Sequence, residues 1–339
     1  MYEHHFGLRT KPFGLSPDPR FLYQKASHRE ALASLIYGIH ERRGFIALVG
    51  EVGTGKTTLV NALLDLFNYN MRTILISHST LNREELLSMV LHQLDVQQPM
   101  HRNRIRGDND FWAEDGLSHL TRVEMLHRFY RFIRSEKAAH RPPPLLLIDE
   151  AQNLSLDVLE EIRLLTNLET AQEKLLQVVL VGQPELEHKL SSQRLRALRQ
   201  RIAVYSKLEP LTLEETMEYV IHRMQTVGGN ARDIFNSDAL KAIYRASSGI
   251  PRVINLICEQ CLVNTFGAGE ERIDEFLTAE AIRDTCFAAE AGFPFLNLGS
   301  RGRHKPGAVS LGHGVSWSHS EGHTQPTIST DITRRRRPV

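Results

Sequence analysis

Gly50-Glu51-Val52-Gly53-Thr54-Gly55-Lys56-Thr57 fits the pattern G-x-x-x-x-G-K-[ST]. Before it, Phe45-Ile46-Ala47-Leu48-Val49 is a short apolar run with the length of a buried strand. After it, Thr58-Leu59-Val60-Asn61-Ala62-Leu63-Leu64 reads as a helix. The glycines let main-chain N–H groups turn inward toward one point. The helix N-terminus adds positive potential at that point. Such a loop cradles phosphate oxygens, so residues Gly50 to Thr58 are expected to hold a nucleoside triphosphate. Lys56 is the residue that reaches its β- and γ-phosphates, and the Thr57 hydroxyl is a ligand for Mg²⁺.

A second element follows Pro142-Pro143-Pro144, which breaks the chain. Leu145-Leu146-Leu147-Ile148 reads as a buried parallel strand, and Asp149 and Glu150 stand at its C-terminal end. Open α/β sheets bind ligands at that edge. Asp149 is expected to help hold Mg²⁺, and Glu150 to orient or deprotonate a water. Leu159, Ile162, Leu165 and Leu168 then repeat in steps of three, as on one side of a helix. A further strand over 176–181 ends at Gly182-Gln183-Pro184. Gln183 would stand beside the acids and touch the γ-phosphate or the water; an ordinary strand-ending amide reads equally well. Arg194, Arg196, Arg199 and Arg201 end a helix before a last short strand at 203–206. They read either as a solvated face or as a source of an arginine finger onto a second subunit. Arg201 is the first candidate and Arg199 the alternative; a finger of this kind implies an oligomer with the site at the subunit interface.

Composition narrows the class. The 339 residues are 41% hydrophobic, enough for two packed domains. A formal net charge of +1 gives no global basic field for nucleic acid. No apolar stretch approaches membrane-spanning length, and Met1-Tyr2-Glu3-His4-His5-Phe6 lacks the pattern of a signal peptide. Three cysteines cannot all pair with one another, which suits a reducing compartment. The expected location is cytoplasmic, with a peripheral position at the inner membrane left open. Cys258-Glu259-Gln260-Cys261 lies within a helical pattern without a second C-x-x-C, so packing is favoured over zinc or redox chemistry. The sixteen histidines lack ligand spacing.

From Glu209-Pro210 onward the pattern turns all-helical. Thr212 with Glu215 fits a capping box. Helices are expected over 217–225, 237–247, 252–264 and 278–287, the size of a small lid. Ser248-Gly249-Ile250-Pro251-Arg252 reads as a helix stop followed by a helix start, which brings Arg252 near the nucleotide. Tyr23 and His28 are candidates for contact with the base, against a plainer reading as core packing with a helix cap at Ser27. Residues 97–115 read as a polar surface insertion in which Phe111 and Trp112 either form a partner contact or, the favoured reading, fold back. From about Gly299 the composition is that of a disordered tail ending in Arg334-Arg335-Arg336-Arg337, a run that reads by default as solvated and otherwise as a contact to acidic lipid or nucleic acid, the latter not favoured.

In order along the chain stand GEVGTGKTTL (50–59), LLLIDEAQNL (145–154), LLTNLET (164–170), LLQVVLVGQPEL (175–186), LRQRI (198–202) and SGIPRVINLIC (248–258). This series resembles the AAA+ ATPases of the general secretion pathway A type, which include ATPases of pilus biogenesis and of exosortase systems. The opening over 1–32 resembles that family's N-terminal segment, and the likeness extends over roughly residues 1–286. The resemblance implies a P-loop NTPase of AAA+ type: an α/β core with a five-stranded parallel sheet sandwiched by helices, then a small all-helical lid. The expected divisions are an N-terminal segment packing on the core (1–43), the ATPase core (44–208), the lid (209–288) and the tail (289–339). It implies ATP and Mg²⁺ as ligands, Lys56, Thr57, Asp149 and Glu150 in the roles given above, Gln183 as first sensor, Arg201 as finger and Arg252 as second sensor. Many AAA+ proteins carry Asn at the first sensor, and Gln183 is one methylene longer.

Three functions follow from this reading. The first is an ATPase that powers assembly or regulation of a cell-envelope machine for secretion, pili or exopolysaccharide export. Its partners would be further copies of itself and envelope-assembly proteins. The second is a DNA-dependent ATPase of the transposition-helper type, less favoured because no helix-turn-helix follows the lid and charge is balanced. The third is a scaffold that binds nucleotide with little turnover, which Glu150 argues against. Secretion-type relatives often continue into a membrane span and a peptidoglycan-binding segment; the polar ending here fits the pilus or exopolysaccharide type better.

Overall fold

The computed structural model describes residues 1–14, 19–21, 23, 25–67, 71–77, 80–96, 120–167 and 173–285. The insertion, the tail and Leu168 lie outside the described residues. Five strands form one parallel sheet: β1 (Phe45–Gly50), β2 (Thr73–Ile76), β3 (Leu145–Ile148), β4 (Gln177–Gly182) and β5 (Ile202–Leu208). Their spatial order is β2-β3-β4-β1-β5. The sequence reading had residues for four of these strands. It passed over β2, whose four residues carry no flanking motif.

Successive side chains alternate across the sheet, and because β1, β3 and β4 are apolar at nearly every position, both faces of its centre are apolar. Leu146, Ile148, Val178 and Leu180 join one cluster with helices α4 (Arg83–Val96), α5 (Arg122–Ala138) and α6 (Leu156–Leu165). Leu145, Leu147, Val179 and Val181 join another with α2 (Ala26–His40) and α3 (Lys56–Phe67). The central strands are buried along their whole length. Each fully buried aliphatic chain contributes roughly 1.5–3 kcal/mol. Helices α7 (Pro184–Leu190) and α8 (Arg196–Arg199) complete the α/β part, and a single turn, α1 (Tyr2–His5), opens the chain.

The helical region follows: α9 (Leu213–Thr226), α10 (Ala231–Ile234), α11 (Ser237–Ser247), α12 (Pro251–Ala268) and α13 (Glu275–Asp284). The Thr212–Glu215 capping box forms at the start of α9, with Thr212 N donating to Glu215 Oε2 at 2.9 Å and Glu215 N donating to Thr212 Oγ1 at 3.2 Å. Helix α13 begins at Glu275 rather than at 278 because the Asp274 side chain caps it, accepting from Leu277 N at 2.9 Å. Helix α11 stops where Ser248 and Gly249 turn left-handed (φ 50° and 72°), and Pro251 opens α12.

Gly249 is sterically required. Its carbonyl accepts from Leu211 N at 2.8 Å, and a Cβ here would stand 1.9 Å from the Leu211 carbonyl oxygen. Gly249→Ala therefore combines a left-handed backbone with a clash against main chain. We expect it to lower stability by on the order of 2–4 kcal/mol, measured as the shift in urea midpoint at constant slope.

Residues 1–43 split their packing. Ala31, Leu35 and Ile39 of α2 lie on the sheet, but Tyr2, Leu8, Phe13 and Phe21 sit in the core of the helical region with Tyr219, Val220 and Met224. The expected packing of the whole segment on the α/β core is therefore corrected for its first half. The reason is that α9 offers those aromatics an apolar face, whereas α2 occupies the sheet. The cap expected at Ser27 is also replaced. Lys25 is the N-cap of α2, and Ser27 Oγ is buried without a partner. Lys25 is itself buried, its ammonium donating to the carbonyls of Glu209 (2.7 Å) and Pro210 (3.0 Å). Cys258 and Cys261 are fully buried in the helical core, and burial raises both thiols, Cys261 to about 12. Among the described residues no helix is long and apolar enough to cross a membrane.

Candidate active site

The strand pairing decides where the chemistry collects. In the register, Val49 pairs with Gly182 and Ile148 with Leu180. The loops after β1, β3 and β4 therefore leave the sheet side by side at its C-terminal edge, where such sheets bind ligands. The loop after β1 is tightly wound. Gly53 and Gly55 have φ of 81° and 98°. A Cβ on Gly55 would stand 3.1 Å from His28 Nε2, and one on Gly53 would stand 2.7 Å from Arg252 Cβ. The glycines are needed for handedness and for space alike.

Lys56 lies inside this loop, buried, its ammonium donating to the carbonyls of Gly50 (2.8 Å) and Glu51 (2.9 Å). Burial lowers its pKa, while the nearby carboxylates of Glu150 and Asp149 act the other way. Thr54 braces the loop by donating its hydroxyl to Glu51 O at 2.8 Å. Thr57, at the start of α3, donates to Asp149 Oδ2 at 3.3 Å. This hydroxyl and carboxylate are hard oxygen donors of the kind Mg²⁺ takes. Burial raises the Asp149 pKa, against the hydrogen bond from Glu150 N to its Oδ1 (2.9 Å).

Glu150 has a left-handed backbone (φ 51°, ψ 37°), rare for a residue with a Cβ. Its Oε2 accepts two amides, Gln152 Nε2 at 2.5 Å and Gln183 Nε2 at 2.9 Å. Partial burial raises its pKa, but these two bonds outweigh that and hold the carboxyl below the usual glutamate range.

A cavity of about 380 Å³ joins these parts. Its wall includes Gly53, Gly55, Lys56, Thr57, Thr58 and Glu150 from the phosphate site, and Phe21, Tyr23, Tyr219 and Arg223, with His28 and Arg252. A concave phosphate cradle, a buried ammonium and paired oxygen ligands fit ATP with Mg²⁺. His28 Nε2 lies 3.0 Å from the Thr54 carbonyl, which makes Nε2 the protonated nitrogen. Burial lowers the His28 pKa. Tyr23 donates its hydroxyl to Glu218 at 2.7 Å. Arg252 is exposed at the start of α12, where its N–H donates to Gly53 O at 3.3 Å.

Asp149 is not in the cavity wall and reaches it through Thr57, and Gln183 and Arg201 also stand apart from it. Gln183 meets the site through Glu150 and, by its main-chain N–H, through Gln152. Arg201 is half-buried and donates to Arg163 O (3.2 Å) and Thr166 Oγ1 (3.4 Å) at the end of α6. The alternative, Arg199, donates to Ser191 O at 3.3 Å.

Sequence reading missed Gln152 and Arg223. Gln152 follows Glu150 by two residues, and that spacing was its only signal. Arg223 sits one turn after Tyr219 on the buried face of α9. Its guanidinium donates to Pro12 O (2.6 Å) and to the Tyr219 hydroxyl (2.9 Å), 4.5 Å from the centre of the Phe21 ring.

Residues 39–190 match the AAA domain family. General secretion pathway protein A of Aeromonas hydrophila is 40% identical over 273 residues, covering 80% of this chain and 46% of that protein. Replication factor C small subunit of Staphylothermus marinus is 24% identical over 242 residues, 70% of this chain and 58% of that protein. The chain thus spans about half the length of these relatives. Among solved structures, Cdc6p of Pyrobaculum aerophilum aligns with a TM-score of 0.55 at 18% identity, over 79% of this chain and 70% of that one. ORC2 of Aeropyrum pernix aligns with a TM-score of 0.54 at 12% identity, over 81% and 71%. These last two likenesses speak for the fold alone.

Proposed function

We propose, for a chain that is an AAA+ P-loop protein related to general secretion pathway protein A, that it binds Mg·ATP and hydrolyses it to drive a movement of its helical lid. The observation that carries this reading is that the phosphate loop, Thr57 and Glu150 line one cavity, with Asp149 bonded to Thr57 behind it. Main-chain amides of residues 50–58 and the Lys56 ammonium grip the triphosphate. Thr57 and Asp149 hold Mg²⁺, which when bound neutralises charge on the β- and γ-phosphates. Glu150 orients the attacking water or takes its proton. Gln183 acts as first sensor, through Glu150. Arg252 acts as second sensor from the first turn of α12. Arg201 reaches the γ-phosphate of a second copy, so the working form is an oligomer.

The same reading divides the chain into an N-terminal segment (1–43), the ATPase core (44–208), a lid (209–288) and a tail (289–339). The lid turns about Glu209-Pro210, where Lys25 holds both carbonyls. The kinship with general secretion pathway protein A supports a role in assembling or regulating a cell-envelope machine from the cytoplasmic side.

Phosphate release from Mg·ATP, measured with and without duplex DNA at low and moderate salt, tests this role. We expect turnover to change less than about twofold on adding DNA. Stimulation by DNA that fades steeply with salt would favour a DNA-dependent ATPase instead.

A further inference from the structure

We propose that Gln152 is a positioning residue for Glu150, aiming its carboxylate by clamping one oxygen and tying it to the end of β4. The inference rests on the ATPase reading above. Gln152 uses both ends of its amide. Its Nε2 donates to Glu150 Oε2 at 2.5 Å, and its Oε1 accepts from Gln183 N at 3.1 Å. One planar group thus serves as donor to a carboxylate and acceptor from main chain, which no carboxylate or aliphatic side chain can do.

The surroundings are fitted to it. A Cβ on Gly182 would stand 2.8 Å from Gln152 Oε1, so the end of β4 leaves room for this amide. The backbone of Gln152 is fixed as well, because the Lys189 ammonium of α7 donates to the carbonyls of Gln152 and Leu154. Gln183 Nε2 adds the second bond to Oε2 at 2.9 Å. Both amides converge on Oε2 and neither claims Oε1, so the carboxylate is anchored through one oxygen while the other stays available to a water. A charge-assisted bond of this kind is stronger than a neutral one. It also counters the tendency of a left-handed Glu150 to relax. Gln183 is bound to the same oxygen and, by its N–H, to Gln152. Displacing Gln183 therefore displaces Glu150.

The test is a set of variants compared with the wild-type chain. Gln152→Leu keeps the volume and removes both bonds; Gln152→Glu keeps the shape and removes the donor. Each is expected to lower kcat for Mg·ATP by about 10–100-fold, with KM and nucleotide affinity within about twofold of wild type. In a Glu150→Gln background, adding Gln152→Leu should cause no further loss in single turnovers, since both residues act through one carboxylate. Wild-type kcat in Gln152→Leu and Gln152→Glu would overturn the inference. So would an equal further loss in the Glu150→Gln background, or loss of nucleotide affinity along with rate. If Glu150→Gln is slow while both Gln152 variants are fully active, this inference alone fails. If Glu150→Gln hydrolyses as fast as wild type, Glu150 has no part in the reaction and this inference falls with that role; if the wild-type protein itself releases no phosphate from Mg·ATP, the ATPase reading fails and takes this one with it.

Discussion

Arg201→Ala is expected to lower ATP turnover of the assembled protein by about 10³–10⁵-fold, while each subunit still binds Mg·ATP. Arg201 lies outside the wall of its own chain's cavity, held by Arg163 O and Thr166 Oγ1 at the end of α6. Any action on phosphate must then fall on another copy. The competing role is local: a guanidinium on the last carbonyls of a helix contributes about 0.3–1 kcal/mol of stability. The two roles separate in a mixing experiment. Arg201→Ala subunits keep an intact phosphate loop, and Lys56→Ala subunits keep an intact Arg201. With random assembly at equal amounts, roughly a quarter of interfaces unite both intact halves in a closed homo-oligomer. Turnover should recover to a comparable fraction of wild type. No recovery at any ratio, or full activity of Arg201→Ala alone, would leave Arg201 as a helix-capping residue. Arg201→Lys should recover little, because an ammonium cannot reproduce the planar fork.

How much of this was legible depends on whether a feature is carried by neighbours in sequence. The phosphate loop, the β3 strand with its two acids, the Thr212–Glu215 box and the stop at Ser248-Gly249 all rest on residues within a few positions of one another, and the sequence states them directly. Strand β2 was passed over because its four residues look like any short apolar run until β3 is beside them. The N-terminal aromatics could not be placed, since their partners on α9 lie about 200 residues later. Gln152 was invisible for a similar reason. Its role depends on Gln183 and on the room left by Gly182, both brought to it by the pairing of β3 with β4. Lys25 is buried, unusually for a lysine, because the carbonyls that hold it belong to the distant Glu209-Pro210.

Glu150→Gln is expected to slow hydrolysis by about 10²–10⁴-fold while leaving a protein that retains Mg·ATP. That loss corresponds to about 3–5 kcal/mol of barrier, more than packing changes from an isosteric swap supply. The parts that grip the nucleotide are separate from Glu150. Lys56 is held by the Gly50 and Glu51 carbonyls, and Thr57 with Asp149 forms its own pair. The bond from the N–H of the left-handed residue 150 to Asp149 Oδ1 is one that the substitution does not touch. What changes is the acceptor for the two glutamine amides and the basicity toward water. Affinity for Mg·ATP should therefore match wild type within a few-fold, read by a fluorescent nucleotide, with phosphate release nearly abolished. Asp149→Asn gives the contrast: it weakens the oxygen ligand set, so retention and rate should fall together and recover in part at high Mg²⁺. A Glu150→Gln protein that released nucleotide as fast as it bound it, or that cleaved ATP at the wild-type rate, would remove Glu150 from the reaction. Tight retention without cleavage would make this variant a trap for partners that recognise the ATP-bound form, because the lid would stay in the state that hydrolysis normally ends.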